Sequence, residues 1–124
     1  MDSNNEKIEY LLNVFKVLGD KTRLQLFSIL LTGDHCNCEL GAITGCSNNL
    51  ISHHMHVLIE AGLINATRKL DDARWIIYSV NRNQLVNLQQ ILGSLIEHIN
   101  IPEREPCCST TDNHIKTELT DESF

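Results

Sequence analysis

Between Ser47 and Tyr78 the chain reads SNNLISHHMHVLIEAGLINATRKLDDARWIIY, and no other stretch restricts the fold as much. Ile51, Met55 and Leu58 recur at helical spacing, which predicts a helix over Asn48 to Glu60 with one stripe turned inward. The other side carries Asn48, Asn49, Ser52, His53 and His56. Ser47 is a good N-cap and Gly62 a terminator. Two β-rich segments follow, Ile64 to Lys69 and Arg74 to Val80, separated by Leu70, Asp71, Asp72 and Ala73, and they read as a hairpin.

Three helices are expected upstream. Ile8, Leu11, Leu12, Phe15 and Leu18 set an amphipathic helix over residues 5 to 18, ending near Gly19. Asp20 can cap a second helix whose apolar face is Leu24, Phe27, Leu30 and Leu31, stopped by Gly33 and Asp34. A short helix spans Asn37 to Thr44, and Gly45 breaks it. Downstream of the hairpin, Leu85, Leu88, Leu92, Leu95 and Ile99 alternate steps of three and four, with Ile91 and Ile96 widening the stripe. The central helices already fill a small core, so the first and last helices are expected to bury their spare apolar surface in a two-fold homodimer, or else as a pair within one chain. The expected class is mainly α with a β-hairpin wing, a winged helix-turn-helix in the order α-α-α-α-β-β-α, occupying residues 1–100.

Residues 101–124 read as a flexible acidic tail: two prolines, many small polar residues, and two cations against six anions, a net −4 of the chain's −6. Residues 47 to 82 carry four cations against three anions beside three histidines. Such a surface binds DNA through positioned contacts and not by bulk charge. No apolar run is long enough to span a bilayer, and MDSNNEKIEY lacks the regions of a signal peptide, so a cytoplasmic protein is expected. Five cysteines in such a chain are expected to be reduced thiols, free for metal or redox chemistry.

The order of elements, with LGDKTRLQLFSILL, HCNCEL, SNNLISHHMHVLIEAGLI and RWIIYSV, resembles the ArsR/SmtB family of arsenic- and metal-responsive repressors over roughly residues 8 to 99. The resemblance implies a homodimer on a two-fold symmetric double-stranded operator, released when an inducer binds. It places the helix after Ser47 in the major groove, with Ser47, Asn48, Asn49, Ser52, His53 and His56 as DNA contacts. Asparagine suits the N6 and N7 edge of adenine, while serine and histidine reach bases or phosphates. Lys69 and Arg74 on the wing would hold phosphates or the minor groove. The bland alternative for this helix is an ordinary solvated face, with His54 as a buried packing histidine.

Arsenic sensors of this family often carry C-x-C-x-x-C at the start of the third helix. Cys36 and Cys38 match its first two positions, but the third is Gly41. Trivalent arsenic takes three soft thiolates, so another sulfur must come from elsewhere. The N-terminal arm that completes the site in cadmium and lead sensors has no cysteine here. The tail offers Cys107 and Cys108, and the seven residues Asn100 to Pro106 reach about 23 to 25 Å when extended. The expected ligands are therefore Cys36, Cys38 and at least one of Cys107 and Cys108, for As(III) or Sb(III), or alternatively Cd(II) or Pb(II). Plain packing at a helix start is the bland alternative for Cys36 and Cys38. Cys46 reads as packing, and His35 and His114 as solvated. The last helix lacks the carboxylates and histidines that zinc and nickel sensors of the family use.

Two other functions fit less well. A disulfide or persulfide between helix and tail thiols would keep the repressor and change its signal. A thiol enzyme is disfavoured because C-x-x-C, a phosphate-cradling glycine loop and a βαβ pattern are all missing.

Overall fold

A computed structural model describes residues 3–69, 71, 74–97 and 103–104. Its elements run α1 (Ser3–Leu18), α2 (Lys21–Leu30), β1 (His35–Cys36), α3 (Asn37–Thr44), α4 (Asn48–Glu60), β2 (Ile64–Arg68), β3 (Ile76–Val80) and α5 (Arg82–Leu95). The winged helix-turn-helix expected from the sequence is present, with one addition. Residues 35 and 36 form a short strand, so the wing is a three-stranded antiparallel sheet in the order β1-β3-β2. His35 lies opposite Tyr78 and Cys36 opposite Ile77, while Ile64 to Arg68 pair with Val80 to Ile76. Two residues between a loop and a helix carry no period-2 signal, which is why β1 was not legible.

The hairpin strands are each slightly shorter than expected, although the Lys69 N–H still bonds the Trp75 carbonyl at 3.0 Å. Of the connecting residues, Leu70, Asp72 and Ala73 lie outside the described residues, as does nearly all of the tail with Cys107 and Cys108. Helix α5 stops at Leu95, where Ile96 leaves helical geometry, and Ile99 of the expected seam lies outside the described residues.

Helix starts follow their cap chemistry. The Asp20 carboxylate accepts from the Arg23 N–H at 3.0 Å, and the Asn81 side chain accepts from the Gln84 N–H at 3.3 Å. Ser47 Oγ accepts from the Leu50 N–H at 3.2 Å, which satisfies one of the donors left over at the start of α4. Ser47→Ala should lower stability by about 1 kcal/mol, read as a drop in thermal midpoint. Gly45 separates α3 from α4 at φ 78°, a left-handed conformation that lets the chain turn sharply between the two helices.

The core gathers Val14 from α1, Leu26, Phe27 and Leu30 from α2, Leu40 from α3, Ile51, Met55 and Leu58 from α4, and Leu63, Ile64 and Tyr78 from the wing. All three residues expected inside α4 are buried. In helix α1, Leu11 and Val14 face inward, while Ile8, Leu12 and Phe15 are about half exposed. Leu24 on α2, Leu31 at its C-cap, and Val86, Leu92 and Leu95 on α5 are also open to solvent. Helices α1 and α5 do meet within the chain, tied by Lys7 Nζ to Ser94 Oγ at 2.8 Å and by the Tyr10 hydroxyl to Gln84 Oε1 at 3.1 Å. That contact consumes only part of their apolar surface.

Candidate nucleic-acid interface and thiol site

The inward stripe of α4 fixes which of its side chains can meet a ligand. With Ile51, His54, Met55 and Leu58 buried, Asn48, Asn49, Ser52, His53 and His56 are all exposed, and Ser47 is exposed at the N-terminal end. Lys69 and Arg74 are exposed on the wing. All eight sequence-predicted DNA contacts therefore lie on the surface, and five of them share the outer face of one helix.

His56 and Ser52 are among those with local engagements. His56 Nε2 lies 3.8 Å from Glu60 Oε2, with both side chains well exposed. Such a pair is weak enough for a phosphate to compete with it. Ser52 touches the wing, because its hydroxyl hydrogen-bonds toward the Tyr78 phenol. Burial pushes that phenol above its ordinary value, against smaller opposing pulls from Ser52 and Arg68. Tyr78 is the middle residue of the central strand, so it braces the outer helix from behind.

His54 is buried, and its partner was not foreseen. Arg23 Nη1 lies 3.3 Å from His54 Nδ1, and Arg23 Nε donates to the Val17 carbonyl at 2.6 Å. A guanidinium only donates, so Nδ1 is the acceptor and the ring proton sits on Nε2. Burial holds His54 below the ordinary histidine range; Asp20 opposes this, while Arg23 and His53 add to it. The burial was readable from the Ile51, His54, Met55, Leu58 stripe. A partner 31 residues away left no local signal.

Cys36 and Cys38 come together at the start of α3, Cys36 as the N-cap and half-buried, Cys38 on the first turn and exposed. The Cys36 N–H donates to Glu39 Oε1 at 2.8 Å. That hydrogen bond is the first cause holding the Glu39 carboxylate below its ordinary value, with smaller help from the Cys36 thiol and His35. The stabilisation is present at neutral pH and is lost as pH falls into the carboxylate range. His35 Nδ1 lies 2.7 Å from the Gly33 carbonyl. Cys46 is half-buried against the core, in line with a packing role.

Among the described residues no group of three or more His, Cys, Asp or Glu side chains is placed to hold a metal ion. Of the three described thiols, Cys36 and Cys38 lie together at one helix start, and Cys46 packs against the core. No helix among the described residues is long and apolar enough to cross a membrane.

Comparison with known proteins supports this arrangement. A family model described as bacterial regulatory protein, arsR family, matches residues 20–66, which run from the α2 cap through β2. An arsenical resistance operon repressor of Staphylococcus aureus is 32% identical over 88 residues, covering 71% of this chain and 75% of its own length. The transcriptional repressor SdpR of Bacillus subtilis is also 32% identical over 88 residues, covering 71% of this chain and 91% of its own. Among solved structures, HlyU from Vibrio cholerae superposes with a TM-score of 0.56 at 25% identity, across 77% of this chain and 98% of that one.

Proposed function

The chain belongs to the ArsR family of bacterial regulatory proteins, and on that premise we propose that it is a thiol-dependent, metalloid-responsive repressor that binds operator DNA as a homodimer. The observation that carries the DNA half is the set of polar side chains, Asn48, Asn49, Ser52, His53 and His56, exposed together on α4. Membership makes the chain a DNA-binding transcriptional regulator and not an enzyme.

In this reading α4 enters the major groove with its N-terminal half against base edges. Asn48 and Asn49 read adenine, Ser52 and His53 reach bases or phosphates, and Ser47 and His56 hold the flanks. Lys69 and Arg74 carry the wing onto the backbone. The half-exposed Ile8, Leu12 and Phe15, with Leu92, Leu95 and Ile96, form the surface on which a second copy seats, because so many large apolar side chains on two neighbouring helices are costly to leave in water. A two-fold pair then presents two α4 helices to successive turns of the operator.

Trivalent arsenic or antimony is the inducer this reading favours, because the donor set is sulfur. Cys36 and Cys38 supply two thiolates, and Cys107 or Cys108 from residues 101–124 supplies the third. The arsenical resistance repressor relative supports the same class of ligand. Closure of the tail onto α3 acts on α4 through the α3–α4 packing and biases the dimer away from its DNA-bound form.

The DNA half is tested with an operator selected from a random duplex pool. Asn49→Ala should weaken specific binding by about 1 to 3 kcal/mol in fluorescence anisotropy and relax preference at one base pair. Lys69→Ala should weaken all duplexes alike and flatten the salt dependence. Uniform loss for Asn49→Ala, with no change in base preference, would contradict its placement in the groove.

A further inference from the structure

The Arg23–His54 contact is a polar junction at a buried histidine that DNA reading and thiol sensing leave unused. Arg23 sits in the first turn of α2 and reaches two other elements. Its Nε is bonded to the carbonyl of Val17 near the end of α1 at 2.6 Å, and its Nη1 meets Nδ1 of His54 on α4 at 3.3 Å. Asp20, which caps α2, accepts from the Arg23 backbone N–H at 3.0 Å. The His53 ring stands 5.4 Å from His54, tilted at 58°. A single guanidinium therefore ties the helix that exposes the apolar face to the helix that exposes the polar one.

The pose of α4 relative to α1 matters because a dimer reads two half-sites at fixed spacing. We propose that Arg23 is a positioning residue for the reading helix, and that protonation of His54 unlatches it, giving DNA binding an acid-sensitive limb that needs no thiol ligand. The proton balance is simple. In the latched form Nδ1 accepts from the guanidinium; a proton arriving from water occupies that lone pair, removes the hydrogen bond, and sets an imidazolium against an arginine.

The charged and titratable groups bearing on His54 are Asp20 and Arg23 from α2 and His53 from α4 itself. Asp20 favours the imidazolium, whereas burial, Arg23 and His53 disfavour it. The sign follows: the neutral ring is the folded, latched form, its stabilisation is complete above the ordinary histidine value of 6.5, and it is lost as pH falls below that. The exposed His53 and His56 act the other way. Their protonation adds positive charge on the DNA-facing side and should tighten binding in acid.

This rests on α4 being the DNA-reading helix, and the experiment separates the two ideas. Anisotropy of the full chain on a selected duplex is followed from about pH 7.5 to about pH 5.5 at constant ionic strength, without arsenite, for wild type and His54→Gln. Glutamine keeps an acceptor for Arg23 and does not titrate. Wild type should lose affinity relative to His54→Gln across that window, by up to about tenfold for a single site, since burial holds His54 below the ordinary histidine value. Superimposable profiles would overturn the latch while leaving the reading helix intact; a wild type that binds no duplex at any pH would overturn both.

Should His54→Gln fail to fold, imidazole resonances of the wild-type protein give the same answer. A His54 ring whose protonation shifts the α4 amides in step supports the latch. A ring that titrates with no response in α4 refutes it.

Discussion

Cys36→Ser and Cys38→Ser should each leave operator affinity within about twofold of wild type while removing release by arsenite, because an inducer acts only through its differential contacts with the two dimer states. Serine at position 36 is itself a good N-cap, and the Glu39 hydrogen bond goes to the backbone N–H, so α3 keeps its start. Coupling between an effector and a DNA site is commonly about 1 to 3 kcal/mol, or roughly 5- to 150-fold in affinity. The wild type should show a ratio in that range, and the variants a ratio near one. Anisotropy with and without arsenite measures it, and arsenic–thiolate absorbance reports whether the ligand still binds. Full release from either serine variant would sink the sulfur site, and simultaneous loss of DNA binding in both would make the two cysteines structural.

Leu40→Ala is the substitution expected to cost most in stability. Leu40 has no exposed surface and is the only buried residue among the described side chains of α3. An eight-residue helix does not hold itself together in water, so α3 depends on this anchor against α4. Truncation removes the buried surface and leaves a cavity, about 2 to 5 kcal/mol in total. Set against a total of about 5 to 15 kcal/mol for a domain of this size, that is enough to unfold a substantial fraction of the chain at moderate temperature. Denaturant titration followed by far-ultraviolet circular dichroism would measure it. A cost below about 1 kcal/mol would mean that α3 is held chiefly by its caps and strand β1.

Much of this fold was readable because its signals are local. The α4 stripe of Ile51, Met55 and Leu58, the Ser47 cap and the Gly62 stop lie within one stretch, and each matched. So did the caps Asp20 and Ser47, whose chemistry involves residues three positions away. What escaped is what depends on distant partners. β1 exists because His35 and Cys36 meet Tyr78 and Ile77 across the sheet, and Asn37 Oδ1 accepts from the Ile76 N–H at 3.4 Å. The first-helix pattern did not sort core from surface: Ile8, Leu12 and Phe15 share the apolar spacing of Leu11, and spacing alone does not say which neighbour covers them.

The candidate sites divide the same way. Outer-face positions on α4 follow from helical period, so all of them landed on the surface. Cys36 and Cys38 sit together because they are two positions apart at one helix start. Arg23 was invisible as a partner of His54, since nothing in DKTR or SHHM announces the other.

Gly45 has a consequence for how this gene can drift. Every codon one nucleotide away from glycine that still encodes an amino acid, other than a synonymous one, specifies a residue with a side chain, and at φ 78° such a residue is strained even though open space surrounds the position. The bend that aims the fourth helix is consequently guarded by backbone torsion and not by crowding. Libraries randomised at this codon should recover glycine, with asparagine as the runner-up, whatever operator they are selected against.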